Sequence, residues 1–349
     1  MSIKQAAQNQ HYVPKFILRK FLANLGREQV NVFQKSTRRS FSTNISNVMA
    51  ERRFNEFRID SSFYASFEES VCKVEDIVLP AYEALIDRRR LTGTPEENAM
   101  LAMFVAFQML RTRSYRDSIA GLFDQFREHF ERHDLPIGAL EEFAKPDNEQ
   151  IKQFHLESMA ESFEEFSHII GTKNFLLLQA PPSRSFYLAD NPVAWHNDEP
   201  DNGIFSNMGL ALKGIQLYVP LSSEFMLAVW CPSILDKFRT QASEKRAFAR
   251  RSRSAVTLSP NSLPRSKKIA FDGEMEKLDN TIERVDKLTK AADAGRPIQA
   301  TTENMDFYNV KQMQFARDFV ICQRADFKLA KEFVKRQGNK QGGMKFSFG

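Results

Sequence analysis

The run Phe186-Tyr187-Leu188-Ala189-Asp190-Asn191-Pro192-Val193 ends an apolar stretch in a carboxylate, an amide and a proline. One reading is a turn, because Asx side chains cap backbone turns and Pro192 fixes the geometry that follows. The other puts Asp190 at a strand end as a general base or metal ligand, with Asn191 donating to a substrate oxygen. Trp195 and His196 follow closely and could supply a pocket wall.

Further candidates lie far away in the chain. His11 precedes a helix start. It is either a packed surface group or an acid/base whose pKa is lowered by the positive helix end. Glu68 and Glu75 are seven apart, so a helix presents both on one face. Gln108 and Arg111 are three apart and share a face of an otherwise apolar helix. A buried arginine needs an acidic partner, for which Glu68 or Glu75 serves, or a phosphate or carboxylate ligand. The segment Lys245-Arg246-Ala247-Phe248-Ala249-Arg250-Arg251-Ser252-Arg253 interleaves cations with an aromatic ring. Lys245, Arg246, Arg250, Arg251 and Arg253 could follow a nucleic-acid backbone, and a solvated helix fits them equally well.

Several signatures are absent: a phosphate-binding Gly-rich loop, a dinucleotide fingerprint, Gly-x-Ser-x-Gly and paired-Cys zinc spacing. His129 and His133 have a metal-compatible spacing, but Phe130-Glu131-Arg132 between them breaks the metalloprotease pattern.

The elements that must position these residues follow from periodicity. Pro14 suits the first turn of a helix over Phe16–Leu22. Arg27–Gln34 reads as a strand, with Arg38–Ser46 as its hairpin partner. Phe63–Arg90 is helical, with Pro80 expected to kink or interrupt it. Thr94-Pro95-Glu96-Glu97 starts a long buried helix running towards His133. A Pro- and Gly-bearing connection follows over Leu135–Asp147, then a helix over Glu149–Ile170. Asn174–Gln179, Ser185–Leu188, Ile215–Pro220 and Phe225–Trp230 read as strands of one antiparallel sheet. A basic helix is expected over 240–254, irregular chain over 255–270 and a charged helix over Asp272–Ala294. The last expected elements are a helix from Met305 and a strand over Asp318–Gln323.

The fold class is therefore α+β. A helical part with a small hairpin, residues 1–170, is expected to pack on a sheet-containing part, 171–335, with a frayed tail over 336–349. The two parts are expected to form one continuous unit.

Composition bounds the rest. The chain has 349 residues, 42% hydrophobic and 27% charged, with 31 Phe against 7 Tyr and 2 Trp, as for a globular protein with a Phe-rich core. Residues 1–60 carry eleven Lys/Arg against four Asp/Glu, and residues 236–268 carry ten against two. Two basic zones on an acidic remainder suit phosphate-bearing partners or a solvated surface. Cys72, Cys231 and Cys322 are too scattered for a disulfide framework, which fits a reducing cytoplasm. The N-terminus lacks the apolar core of a signal peptide, and no apolar run is long enough for a membrane span.

Taken together, these segments resemble an uncharacterised, mainly bacterial domain-of-unknown-function family. Gln10-His11-Tyr12-Val13-Pro14-Lys15-Phe16 is similar to its N-terminal signature, and Gln108-Met109-Leu110-Arg111-Thr112 to its Gln-x-x-Arg-Thr step. Glu68 and Glu75 match acidic positions of its first long helix. Ala189-Asp190-Asn191-Pro192-Val193 resembles its Ser-Asp-Asn-Pro-Val motif, with Ala189 in place of Ser. Tyr218–Ser222, Asn309 and Ala316–Val320 match its C-terminal segments. The resemblance brings no activity, but it implies that His11, Glu68, Glu75, Gln108, Arg111, Asp190 and Asn191 belong together.

Such a polar set is what an active site needs. The leading expectation is a hydrolase, nuclease- or phosphodiesterase-like, acting on a phosphate-containing substrate, foremost nucleic acid or a nucleotide. His11, Glu68, Glu75 and Asp190 would be catalytic, with a divalent cation as the cofactor the carboxylates would admit, and Gln108, Arg111 and Asn191 would bind substrate. The rival is a non-catalytic accessory or interaction protein whose polar set is a structural network.

Overall fold

The computed structural model describes residues 9–60, 63–133, 146–199, 209–258 and 264–338. The expected connection around 135–145, Pro260 and the tail from 339 lie outside the described residues. The chain is mixed α/β. Strand β1 (Asn9–His11) leads through Pro14 into helix α1 (Lys15–Arg19). Strands β2 (Gln29–Gln34) and β3 (Arg39–Asn44) form the expected hairpin. Three short strands follow, β4 (Ala50–Arg52), β5 (Glu56–Arg58) and β6 (Tyr64–Ser66), with β4 on β1 and β5 on β6.

Helix α2 (Glu68–Arg88) runs through Pro80 without ending. Proline removes one N–H, and Val78, Tyr82 and Leu85 anchor the helix around it in the core. The single helix expected from Thr94 to His133 is two, α3 (Pro95–Leu110) and α4 (Arg113–Arg132). Thr112 breaks it by leaving the helical region and accepting the Tyr115 N–H at 3.2 Å, so it caps a new helix. Helix α5 (Asn148–Gly171) opens with a full capping box between Asp147 and Gln150.

Strands β7 (Asn174–Gln179), β8 (Leu188–Ala189), β9 (Ala194–Asn197), β10 (Ile215–Pro220) and β11 (Phe225–Trp230) come next. Helices α6 (Pro232–Leu258) and α7 (Arg265–Asp293) follow, so most of the stretch expected to be irregular over 255–270 is helical on both sides. Strand β12 (Ile298–Gln299), helix α8 (Thr302–Phe315), strand β13 (Phe319–Ile321) and helix α9 (Lys328–Gln337) complete the chain.

One sheet has the order β12-β7-β11-β10-β9, antiparallel except where β12 joins β7. The run at 185–188 does not belong to it. That run ends in β8, which pairs with β13 in a second sheet of order β3-β2-β13-β8. The reason is tertiary: β13 is delivered alongside β8 by α8, a partner no local pattern announces. This second sheet draws strands from both sides of residue 170. Helix α3 is buried nearly all round, with Leu101, Phe104, Val105 and Ala106 in the largest core cluster beside Ile215, Leu217 and Leu227 of the first sheet. The opposite face of that sheet, through Leu176, Tyr218, Met226 and Ala228, meets Met305 and Tyr308 of α8 and Leu235 of α6.

Candidate functional site

His11, Gln108, Arg111 and Glu75 come together where β1, α2 and the end of α3 meet. Arg111 is 1% exposed. Its Nη1 donates to Glu75 Oε1 at 2.5 Å and its Nη2 to the His11 carbonyl at 2.6 Å. The guanidinium lies over the Phe107 ring, 4.6 Å from its centroid. One turn back, Gln108 Nε2 donates to the Tyr12 carbonyl at 3.0 Å. The Gln-x-x-Arg step therefore grips two consecutive carbonyls of the His-Tyr-Val-Pro segment. The His11 ring binds the Ile45 carbonyl at 3.0 Å. Burial lowers the His11 pKa against that bond, and Lys15 and Arg111 lower it further, so the ring is neutral at pH 7.

Glu68 joins this knot indirectly. It accepts from Asn55 Nδ2 at 2.6 Å, and the Asn55 N–H donates to Gln10 Oε1 at 2.7 Å. Gln10 Nε2 in turn donates to Glu56 at 2.8 Å. Buried polar atoms lacking a hydrogen-bond partner gather here: Asn55 Oδ1, Gln108 Oε1 and Arg111 Nε. Glu75, 27% exposed at its side chain, gives the knot an edge on the surface.

Asp190 makes no hydrogen bond to these residues, although its charge acts on the buried Tyr12 between them. It is 2% exposed, and its carboxylate accepts the N–H groups of Arg317, Asp318 and Phe319 at 2.7, 2.9 and 3.0 Å. Burial pushes its pKa up, while those three bonds and the field of Lys35 pull it back. The carboxylate clamps the turn that carries α8 into β13. Asn191 lines a cleft of about 20 Å³ with Thr112, Ser114, Ser118 and Trp195, about the space of one water. His196 pairs with Asp198 at 2.6 Å. Among the described residues no three of His, Cys, Asp and Glu converge as a metal-binding group.

Other polar residues of this framework escaped sequence reasoning. Lys35 is fully buried, and its ammonium donates to the Met313 and Ala316 carbonyls, at 3.0 and 2.6 Å, at the end of α8. Gln312 of α8 donates to the Pro192 carbonyl and accepts from the Ala189 N–H, while Asn309 accepts from the Tyr187 N–H. His155 of α5 is fully buried, donates to the Leu110 carbonyl at 2.9 Å and lies beside Arg116. Arg116 also reaches Glu51 and the Phe54 carbonyl, both at 2.9 Å. A lysine flanked by polar residues, or a histidine in an amphipathic helix, carries no local sign of burial. Only Asn309 had a signal, through its place in a family segment.

The basic segment lies on a separate feature. Along α6, Leu235, Phe238, Ala242, Lys245, Ala249, Ser252 and Val256 are shielded at alternating spacings of three and four. Along α7, Phe271, Met275, Leu278, Ile282, Val285, Thr289 and Ala292 follow the same rhythm. That is a heptad seam, and the two helices form an antiparallel coiled-coil hairpin. An ion-pair ladder fixes its register: Arg239 with Asp293, Arg246 with Asp286 and Arg253 with Asp279, each step seven residues. Leu235, Phe238, Leu288 and Ala292 root the hairpin on the sheet. At its base Gly295 takes φ +63°, and a Cβ there would fall 2.1 Å from the Leu91 carbonyl oxygen. Ala242, Ala249, Met275 and Ile282 are buried yet belong to none of the body's core clusters, so the distal heptads cover each other as an arm. At 27 residues α6 is about 40 Å long.

Of the five cations singled out in this segment, Arg246 and Arg253 are thus taken by α7. Lys245, Arg250 and Arg251 have no acidic partner among the described residues, nor do the exposed Lys267 and Lys268 on α7. Phe248 is 54% exposed among them.

Fold and site together define a mixed α/β protein with a polar framework locked onto its own backbone and a basic coiled-coil arm. The chain belongs to the family described as protein of unknown function DUF4238, whose model matches residues 9–326. No curated protein and no solved structure matches the chain.

Proposed function

We propose that this chain is a non-catalytic interaction protein that binds single-stranded nucleic acid through the α6–α7 arm. The observation that carries this reading is the division of the arm's cations. Arg239, Arg246 and Arg253 are neutralised by the ladder, whereas Lys245, Arg250, Arg251, Lys267 and Lys268 are not. Unpaired cations on a projecting rod release counterions when they meet phosphates. Phe248 and Arg251, at i and i+3, lie on one exposed side of α6, where a ring beside a cation suits base stacking. The polar framework supports the same reading from the other direction, since most of its side chains grip backbone groups and have little left for a substrate. Three free cysteines suit a reducing cytoplasm as the compartment.

The test is fluorescence anisotropy of labelled single-stranded RNA and DNA 20-mers against a salt series. The expected outcome is salt-dependent binding, weakened more than about tenfold in Arg250→Glu/Arg251→Glu/Lys268→Glu. The log–log salt slope should fall by about 2, at about 0.7 per lost phosphate contact. Binding that is absent, or indifferent to the triple variant, sinks the proposal. Stronger binding to duplex corrects the nature of the strand.

A second reading, hydrolysis of a phosphate-containing substrate, is favoured by one observation. Glu75 and His11 reach the surface beside the buried Arg111, whose Nε has no partner. In that reading Glu75 activates water or holds a divalent cation, and His11 moves the proton. A metal-supplemented screen over RNA, DNA and nucleotides, with Glu75→Gln as control, tests it. Turnover that persists in the control rules Glu75 out.

A further inference from the structure

The three thiols occupy very different surroundings. Cys231 follows the last residue of β11 and immediately precedes Pro232, the first residue of α6, so its sulfur stands at the positive end of a 27-residue helix. The Ser233 hydroxyl donates to its Sγ at 3.1 Å. The register that sets Trp230 opposite Asn174 brings Cys231 next to Lys173 across the end of the β7–β11 pair. Lys173 is 8% exposed, and among the described residues its ammonium has no hydrogen bond or ion pair. It lines a cavity of about 220 Å³ at the arm's root, together with Thr92, Asn98, Leu235 and the ion-paired Arg239 and Asp293. The Lys173 ammonium opens into this cavity, where it can receive an anion.

We propose that Cys231 is a thiol-modification site at the root of the arm, taking an anionic low-molecular-weight disulfide whose carboxylate is received by Lys173. In the step the Cys231 thiolate attacks one sulfur of that disulfide. A new S–S bond forms as the old one breaks, and the departing thiolate keeps the electron pair and takes a proton from water. Cys231 is oxidised and half of the disulfide is reduced, so no further oxidant is needed.

Electrostatics agree with the geometry. Partial burial by itself would push the Cys231 thiol up. The Ser233 hydroxyl, backbone hydrogen bonds at Gly214 and Ser233, and the Lys173 charge outweigh it and hold the pKa below the usual value. Cys72 is the internal control. It is more exposed, yet burial and the nearby Glu68, Glu75 and Asp76 raise its pKa. Cys322 is buried. Exposure alone thus predicts that Cys72 reacts first, and the proposal predicts the reverse.

The test uses the native full chain with oxidised glutathione at pH 7, followed by peptide mass mapping over time. The expected result is a mixed disulfide at Cys231 before Cys72. The rate at Cys231 should fall at least about threefold in Lys173→Gln, which removes the cation that receives the carboxylate and one of the charges that favour the thiolate. Ser233→Ala should slow it too, and serves where Lys173→Gln fails to fold. Cystamine, a cationic disulfide, should lose less rate than glutathione on Lys173→Gln, because no carboxylate is received. Modification of Cys72 first, or Cys231 rates unmoved in both variants, overturns the proposal. Nucleic-acid binding by the arm is measured separately and does not enter these outcomes.

Discussion

Replacing Asp190 by Asn keeps the size of the side chain and removes its charge. The amide has one acceptor oxygen where the carboxylate has two, and its NH2 group then faces backbone N–H groups. Of the N–H groups of Arg317, Asp318 and Phe319, at least one loses its acceptor in a site 2% exposed to solvent. The fully buried Lys35 also loses one of the two anions, Asp190 and Asp318, that offset its burial. Removing one member of a buried charged network costs about 3–5 kcal/mol, and each hydrogen bond to a charged group contributes about 1.5–3 kcal/mol. These overlap, so we expect a loss of about 3–5 kcal/mol. Urea unfolding followed by far-ultraviolet circular dichroism measures it, with Trp195 and Trp230 as fluorescence probes inside the first sheet. A variant within about 0.5 kcal/mol of the parent, the range of a neutral surface change, would refute the clamp. It would also return Asp190 to the list of catalytic candidates.

Two further outcomes follow from the same structure. His155 is held neutral, its pKa lowered by burial and then by Arg116 to about 3, against 6.5 in the unfolded chain. Its folded pKa is depressed, so its contribution is intact above pH 6.5 and is lost as pH falls towards 3, at about 1.4 kcal/mol per pH unit. The stability-against-pH slope between pH 4 and 6 should therefore flatten by that amount in His155→Gln, and an unchanged slope counts against a buried neutral ring. In the arm, Ile282→Asp puts a charge into the seam between heptads that cover only each other. Limited proteolysis should then open 240–285 while the body keeps its melting temperature; a body that melts with the arm shows that the two fold as one.

Much of this protein is legible in its sequence where the determining forces are local. Thr94-Pro95 predicts a capped helix start because capping acts over three residues, and the Thr94 hydroxyl does accept the Glu97 N–H. Strands β7, β10 and β11 show as apolar runs bounded by turn residues because both faces of their sheet are covered. The reading of Arg111 with Glu75 rested on a strong constraint, that a buried guanidinium needs an acid, and the two do pair.

Other features depend on which parts of the chain meet. Asp190 reads as a turn cap or a base in sequence, and only the arrival of three N–H groups from residues 317–319 gives its carboxylate a clamping role. Within the polar set that motif order suggested, His11, Arg111 and Glu75 bond to one another, while the Asp190 carboxylate bonds to the chain at 317–319. The basic segment shows its charge in sequence but not its partners. Seven-residue spacing of Arg239, Arg246 and Arg253 becomes meaningful only against Asp293, Asp286 and Asp279 on the returning helix. Sequence determined the types of element and the candidate charges, since propensity, capping and periodicity act within a few residues. Tertiary structure decided which charges are used up and which remain free, because that depends on the distance between groups far apart in the chain.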